Sequence, residues 1–166
     1  MCSVVAFPHG DASTASKRAE AARAVQDGAD ELDVVIALGA LRDGDHRAVV
    51  EDLRAVVAAA AERPVKVILE TVRLDDRQKV VACALSQAAG AAFVKTSTGY
   101  GGGGATVEDV ALMRSVVGPH VAVKASGGIR DAAAADAMVA AGAARLGTSR
   151  SIAIVGGAAS GAEGDY

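Results

Sequence analysis

Short runs of β-branched residues alternate along this chain with alanine-rich stretches. Three of those stretches close on the same Gly-Ala step just before the next run: "DGADELDVV" at Gly28, "AAGAAFVK" at Gly90 and "AAGAARLG" at Gly142. Glycine there supplies the left-handed residue that stops a helix, and alanine lets helix and strand approach closely. A helix stop that leads straight into a strand, used repeatedly, confines the chain to βα units on a parallel sheet. The strand candidates are Ser3–Phe7, Leu32–Ile36, Val65–Glu70, Ala92–Lys95, Val121–Lys124 and Arg145–Gly147. Asp75 with Gln78, and Thr106 with Asp109, have the spacing of N-terminal capping boxes.

Doubly wound sheets and closed barrels share this alternation, and the polar residues separate them. Glu70, Lys95 and Lys124 fall at the ends of three different strand candidates, and Asp33 lies within a fourth. A barrel gathers its site from the C-terminal ends of many strands, whereas a doubly wound sheet concentrates it at one switch point. The expected fold is therefore α/β of the (β/α)8 TIM-barrel type, with about six βα units present instead of eight. Residues 1–155 form the barrel domain, and the "GGAASGAEGDY" segment at 156–166 reads as a flexible tail.

Composition narrows the function. Apolar residues make up 51% of the 166 residues, much of it alanine and valine, which suits a closely packed core. Net charge is −3 without a basic block, so nucleic acid is not an expected partner. The start "MCSVVAFPHG" lacks a charged leader, and no apolar run reaches membrane-spanning length. Cys2 and Cys83 lack metal-ligand spacing and read as small buried hydrophobes of a reducing compartment. A cytoplasmic location is expected.

The chemistry-bearing residues begin with Lys95 in "FVKTSTG". Most lysines just past a strand extend into solvent. Lys124 repeats the arrangement one unit later in "VAVKASGGIR": apolar strand, lysine, hydroxyl residue, glycines. Adjacent parallel strands lie about 4.8 Å apart. Two inward lysines would be close neighbours, and a like charge makes an amine nucleophile more available near neutral pH. Asp33 in "ELDVVI" is a carboxylate inside a strand, either a structural ion-pair partner or a proton relay beside the lysines. Glu70 in "VILET" is assigned support and charge balance.

The glycine run formally fits G-x-G-x-x-G at Gly99, Gly101 and Gly104, but the acidic residue of a dinucleotide site is missing about twenty residues on. It reads instead as a flexible active-site loop. Gly127, Gly128, Gly147, Thr148 and Ser149, with Arg150, offer backbone N–H groups, hydroxyls and a cation after the last two strands, where barrels often hold phosphate. Ordinary glycine turns would give the same pattern. His9, His46 and His120 are scattered, and no metal site or cofactor is expected.

Taken together, "FPHG", "ADELDVV", "VKVILET", "AAFVKTSTG", "VKASGGIR" and "RLGTSRSIAIV" resemble the deoxyribose-phosphate aldolase family of class I aldolases over essentially the whole chain. The resemblance implies a lyase that reversibly cleaves 2-deoxy-D-ribose 5-phosphate to glyceraldehyde 3-phosphate and acetaldehyde. It implies Lys95 as the Schiff-base lysine, Asp33 and Lys124 as its proton-transfer pair, and Gly127, Gly128, Gly147 and Ser149 in the phosphate loops. Tyr166 matches a C-terminal tyrosine that serves the family as a proton shuttle. Relative to a full-length member the chain begins at the third strand. That leaves Ser3–Phe7 and the last strand as open apolar edges, and a homo-oligomer is an expected arrangement. Two alternatives stand beside the aldolase: an inactive remnant that binds phosphate compounds or associates through its edges, and a different, transaldolase-like Schiff-base enzyme.

Overall fold

A computed structural model describes residues 1–156. Six strands, β1 (Cys2–Val5), β2 (Glu31–Val35), β3 (Val65–Ile68), β4 (Phe93–Lys95), β5 (Ala122–Ser126) and β6 (Arg145–Gly147), pair in parallel in sequence order. Strictly sequential order is what repeated βα units produce when every crossover turns the same way, and it is the order of a barrel wall. A doubly wound sheet would reverse direction at an interior strand. Among the described residues β1 and β6 have one neighbour each.

The helices are α1 (Thr14–Gln26), α2 (Leu38–Arg42), α3 (His46–Ala59), α4 (Asp76–Ala88), α5 (Val107–Val116), α6 (Ala132–Ala140) and α7 (Ser151–Val155). Gly28, Gly90 and Gly142, just past α1, α4 and α6, have φ of +95°, +91° and +107°, the left-handed stops read from the repeat. Asp75 and Gln78 form a reciprocal capping box at α4. At α5 only half of the expected box forms. The Thr106 hydroxyl accepts from the Asp109 amide, while the Asp109 carboxylate pairs with Lys79 of α4 at 2.6 Å and ties the two helices together.

Side chains alternate across a strand with period two, and here the two faces have opposite character. Val5, Val34, Val67, Val94 and Val123 are in register on neighbouring strands, and all are fully buried. With Leu53, Val56, Ala82, Val110 and Met113 of the helices they make one apolar core between sheet and helices. The other face carries Glu31, Asp33, Lys66, Lys95, Lys124 and Arg145.

β3 stops at Ile68, so Glu70 lies beyond the strand that the sequence pattern assigned it to. The two cysteines also divide. Cys83 is a buried core residue, its thiol pushed up to about 12 by burial, but Cys2 is exposed on the polar face of edge strand β1. Tyr166, and residues 157–166 of the expected tail, lie outside the described residues.

Candidate active site

The polar face converges on one carboxylate. Asp33 lies on β2 opposite Lys66 of β3, and Lys95 of β4 lies opposite Lys124 of β5. Asp33 Oδ2 accepts from both Lys95 Nζ and Lys124 Nζ at 2.8 Å, and its Oδ1 accepts from Lys66 Nζ at 2.9 Å. Lys66 Nζ is also 2.7 Å from Glu31 Oε2, which Arg145 of β6 meets in turn. Strands three places apart in a flat sheet stand about 14 Å from one another. Direct contact between Asp33 on β2 and Lys124 on β5 therefore requires the sheet to curl with its polar face inward. The ion network and the barrel curvature are one feature seen at two scales.

Four cations surround two carboxylates, and Asp33 and Lys66 are almost wholly buried. Burial pushes the Asp33 carboxyl up, but hydrogen bonds from Lys124 and Lys95, together with the Lys95 charge and Lys66, outweigh it and hold the group well below the usual carboxylate range. Hydrogen bonds from Arg145 and Lys66 bring Glu31 down from 4.5 to about 2. Burial pushes Lys66 down, and its hydrogen bonds to Glu31 and Asp33 more than reverse this. The Arg145 guanidinium also lies over the Phe93 ring, 4.9 Å from its centroid.

The hydroxyl residues that follow each lysine lock the two strand ends together. The Thr96 hydroxyl donates to the Ser126 carbonyl and accepts from the Ser126 amide, each at 3.0 Å, and the Ser126 hydroxyl donates to the Ser97 carbonyl at 2.8 Å. The motif around each lysine thus fixes the other in place.

Lys95 and Lys124 open into a cavity of about 1310 Å³ whose lining also includes Thr98, Tyr100, Ser126, Gly127, Gly128, Arg130, Gly147, Thr148, Ser149 and Arg150. All five residues expected in the phosphate loops line it. Two arginines, Arg130 and Arg150, line it beside glycines and small hydroxyl residues, an arrangement suited to a phosphate. Thr148 ties the two loops together: its hydroxyl donates to the Ile129 carbonyl at 2.7 Å and accepts from the Arg150 amide at 3.0 Å. It therefore offers an anion its backbone rather than its hydroxyl.

The glycine run packs as closely as it turns. The Ala105 amide donates to the Gly127 carbonyl at 2.9 Å, and a Cβ on Gly104 would lie 2.4 Å from that oxygen. Glu70 plays no part in the charge network. No cation pairs with it among the described residues, which corrects the charge-balance reading. No group of histidine, cysteine or acidic residues suited to a metal ion occurs among the described residues.

Lys66, Glu31, Arg145 and Arg130 were not singled out from the sequence. The signal was present: "ELDVV" and "VKVI" interrupt apolar strands at alternate positions, which marks a polar inner face.

Known proteins resemble the chain along its length. The model of the DeoC/LacD family aldolases matches residues 1–162. A deoxyribose-phosphate aldolase of Rhodospirillum rubrum is 56% identical over 169 residues, with 100% of this chain and 71% of that protein covered. One of Streptococcus suis is 54% identical over 166 residues, covering 100% of this chain and 74% of its own. The crystal structure of a putative deoxyribose-phosphate aldolase from Coccidioides immitis superposes with a TM-score of 0.91 at 45% identity, over 93% of this chain and 62% of that one.

Proposed function

The chain belongs to the DeoC/LacD family of aldolases, and from that premise we propose that its cavity reversibly cleaves 2-deoxy-D-ribose 5-phosphate into glyceraldehyde 3-phosphate and acetaldehyde. The observation that carries this reading is the pair of lysines, Lys95 and Lys124, held by a single carboxylate oxygen at the floor of an anion-suited cavity.

In this reaction the Lys95 amine adds as a free base to the C1 aldehyde, and the carbinolamine loses water to leave an iminium. The iminium is the electron sink. A base takes the proton of the C3 hydroxyl, the C2–C3 bond breaks, and its electrons form an enamine on the two-carbon fragment. The carbon count fixes that bond, since acetaldehyde carries C1 and C2 and the phosphorylated product carries C3 to C5. Protonation at C2 and hydrolysis release acetaldehyde and restore the amine. Asp33 and Lys124 exchange protons at the carbinolamine, because both are already hydrogen-bonded in the Lys95 network. Gly127, Gly128, Gly147, Thr148 and Ser149, with Arg130 and Arg150, line the same cavity and hold the phosphate. No step calls for a metal or organic cofactor.

Two unpaired thiols suit the reducing cytoplasm, and strands β1 and β6, each with one neighbour among the described residues, suit a homo-oligomer. A relative from Aeropyrum pernix has been described as tetrameric.

The test is borohydride reduction of this chain with deoxyribose 5-phosphate, followed by intact mass and peptide mapping. A reduced adduct on Lys95 is expected, and Lys95→Ala should abolish it while leaving the far-UV CD spectrum unchanged. A soluble, folded sample that yields no adduct, or an adduct that survives Lys95→Ala, would overturn the assignment.

A further inference from the structure

We propose that Glu70 is a positioning residue whose buried carboxylate clamps the Thr98–Gly104 loop as a wall of the cavity, and so sets how well an extended substrate is accommodated beside Lys95. The clamp stands on geometry alone, while its effect on substrate choice rests on the aldolase reading.

Glu70 is 2% exposed and has φ 55° and ψ 61°, a left-handed conformation seldom adopted outside glycine. A buried carboxylate must be hydrogen-bonded, and an uncommon backbone conformation persists only where its surroundings hold it. Among the described residues neither need is met by a cation. Among the described residues the hydrogen bonds to the carboxylate come from one residue of the loop: the Thr98 amide donates to Oε2 at 3.2 Å and to Oε1 at 3.4 Å, and the Thr98 hydroxyl donates to Oε2. Thr98 then relays the contact, since its hydroxyl oxygen accepts from the Tyr100 amide at 3.0 Å. The Tyr100 ring meets Phe7, from the segment after β1, edge to face with centroids 5.5 Å apart.

The fit from the loop side is equally close. A Cβ on Gly101 would lie 2.6 Å from both Cδ and Oε1 of Glu70, and one on Gly103 would lie 2.6 Å from Cγ2 of Val72 in the turn that follows. The loop is therefore wrapped around the carboxylate tip on one side and stitched to Gly127 on the other. Thr98 and Tyr100 line the cavity with Lys95, but Glu70 does not. A group outside the cavity thus decides where its wall stands, through Thr98.

The experiment compares the parent chain with Glu70→Gln, Gly101→Ala and the double variant. Glu70→Gln removes the charge and turns an amide donor toward the Thr98 donors, and Gly101→Ala drives a methyl group into the carboxylate. The first readout is amide hydrogen exchange. Exchange should rise about tenfold in the peptide spanning residues 96–106 in each single variant, with the rest of the chain unaltered. Because both changes break one contact, the double variant should be no worse than the worse single. The second readout is borohydride capture, where efficiency with deoxyribose 5-phosphate relative to acetaldehyde should fall about tenfold as the loop wall is displaced. Unchanged exchange at 96–106, exchange raised across the whole chain, or fully additive variants would overturn the clamp. A capture ratio equal to the parent's would overturn its role in accommodating substrate. If the parent captures neither aldehyde, it is the aldolase reading that fails, and exchange still decides the clamp.

Discussion

Asp33 illustrates how much one side chain can organise. Its two oxygens accept from Lys66, Lys95 and Lys124, which come from three different strands. Replacing it by Asn keeps the shape but leaves three ammonium groups, two of them buried, without their common anion. Removing one partner of a buried ion pair typically costs about 3–5 kcal/mol. Asp33→Asn should lower the urea midpoint correspondingly at constant slope, which equilibrium denaturation measures. The sequence marked Asp33, Lys95 and Lys124 because each interrupts an apolar strand. It left Lys66 and Arg145 unmarked because the meaning of an alternate polar position depends on which face the helices cover.

Among the elements, α1 and α3 are joined by a second buried ion pair on the apolar side of the sheet. Lys17 Nζ reaches Asp52 Oδ2 at 2.7 Å and the Val35 carbonyl at 3.1 Å, and the Thr14 hydroxyl donates to the other Asp52 oxygen at 2.8 Å. Lys17 is fully buried, so the pair is one of desolvated charges. Lys17→Met should destabilise by about 3–5 kcal/mol, because it strands a buried carboxylate. The double variant Lys17→Met with Asp52→Leu should regain most of that loss, since an apolar pair of similar volume is often as stable as the ions it replaces. A double-mutant cycle in urea checks both statements, and a double variant no more stable than the single would contradict them. This pair was not legible in the helical pattern, where a lone Lys17 and a lone Asp52 look like solvated positions.

At the scale of the whole molecule, the curled sheet commits the fold to neutral pH. Glu31 falls from 4.5 to about 2 in the folded chain, and Asp33 is also held low. A carboxyl with a lowered folded-state value binds more protons when unfolded, so stability rises with pH through that range. Their contribution is complete above about pH 5 and is lost as pH falls toward 2. Melting temperature should therefore drop steeply between pH 5 and 3, and less steeply in Asp33→Asn, which thermal melts across that range would show. The sequence by itself determined the βα alternation, the helix stops and the two lysines that meet at Asp33, because these depend on local backbone preference and on polar residues placed where an isolated strand would not carry them. Only the tertiary structure decided that one carboxylate serves three lysines, that Glu70 faces the glycine loop instead of the charge network, and that Cys2 is exposed while Cys83 is buried. Those outcomes depend on how far the sheet curls and on which loops meet above it. Both are set by contacts between residues far apart in sequence, where local periodicity carries no information.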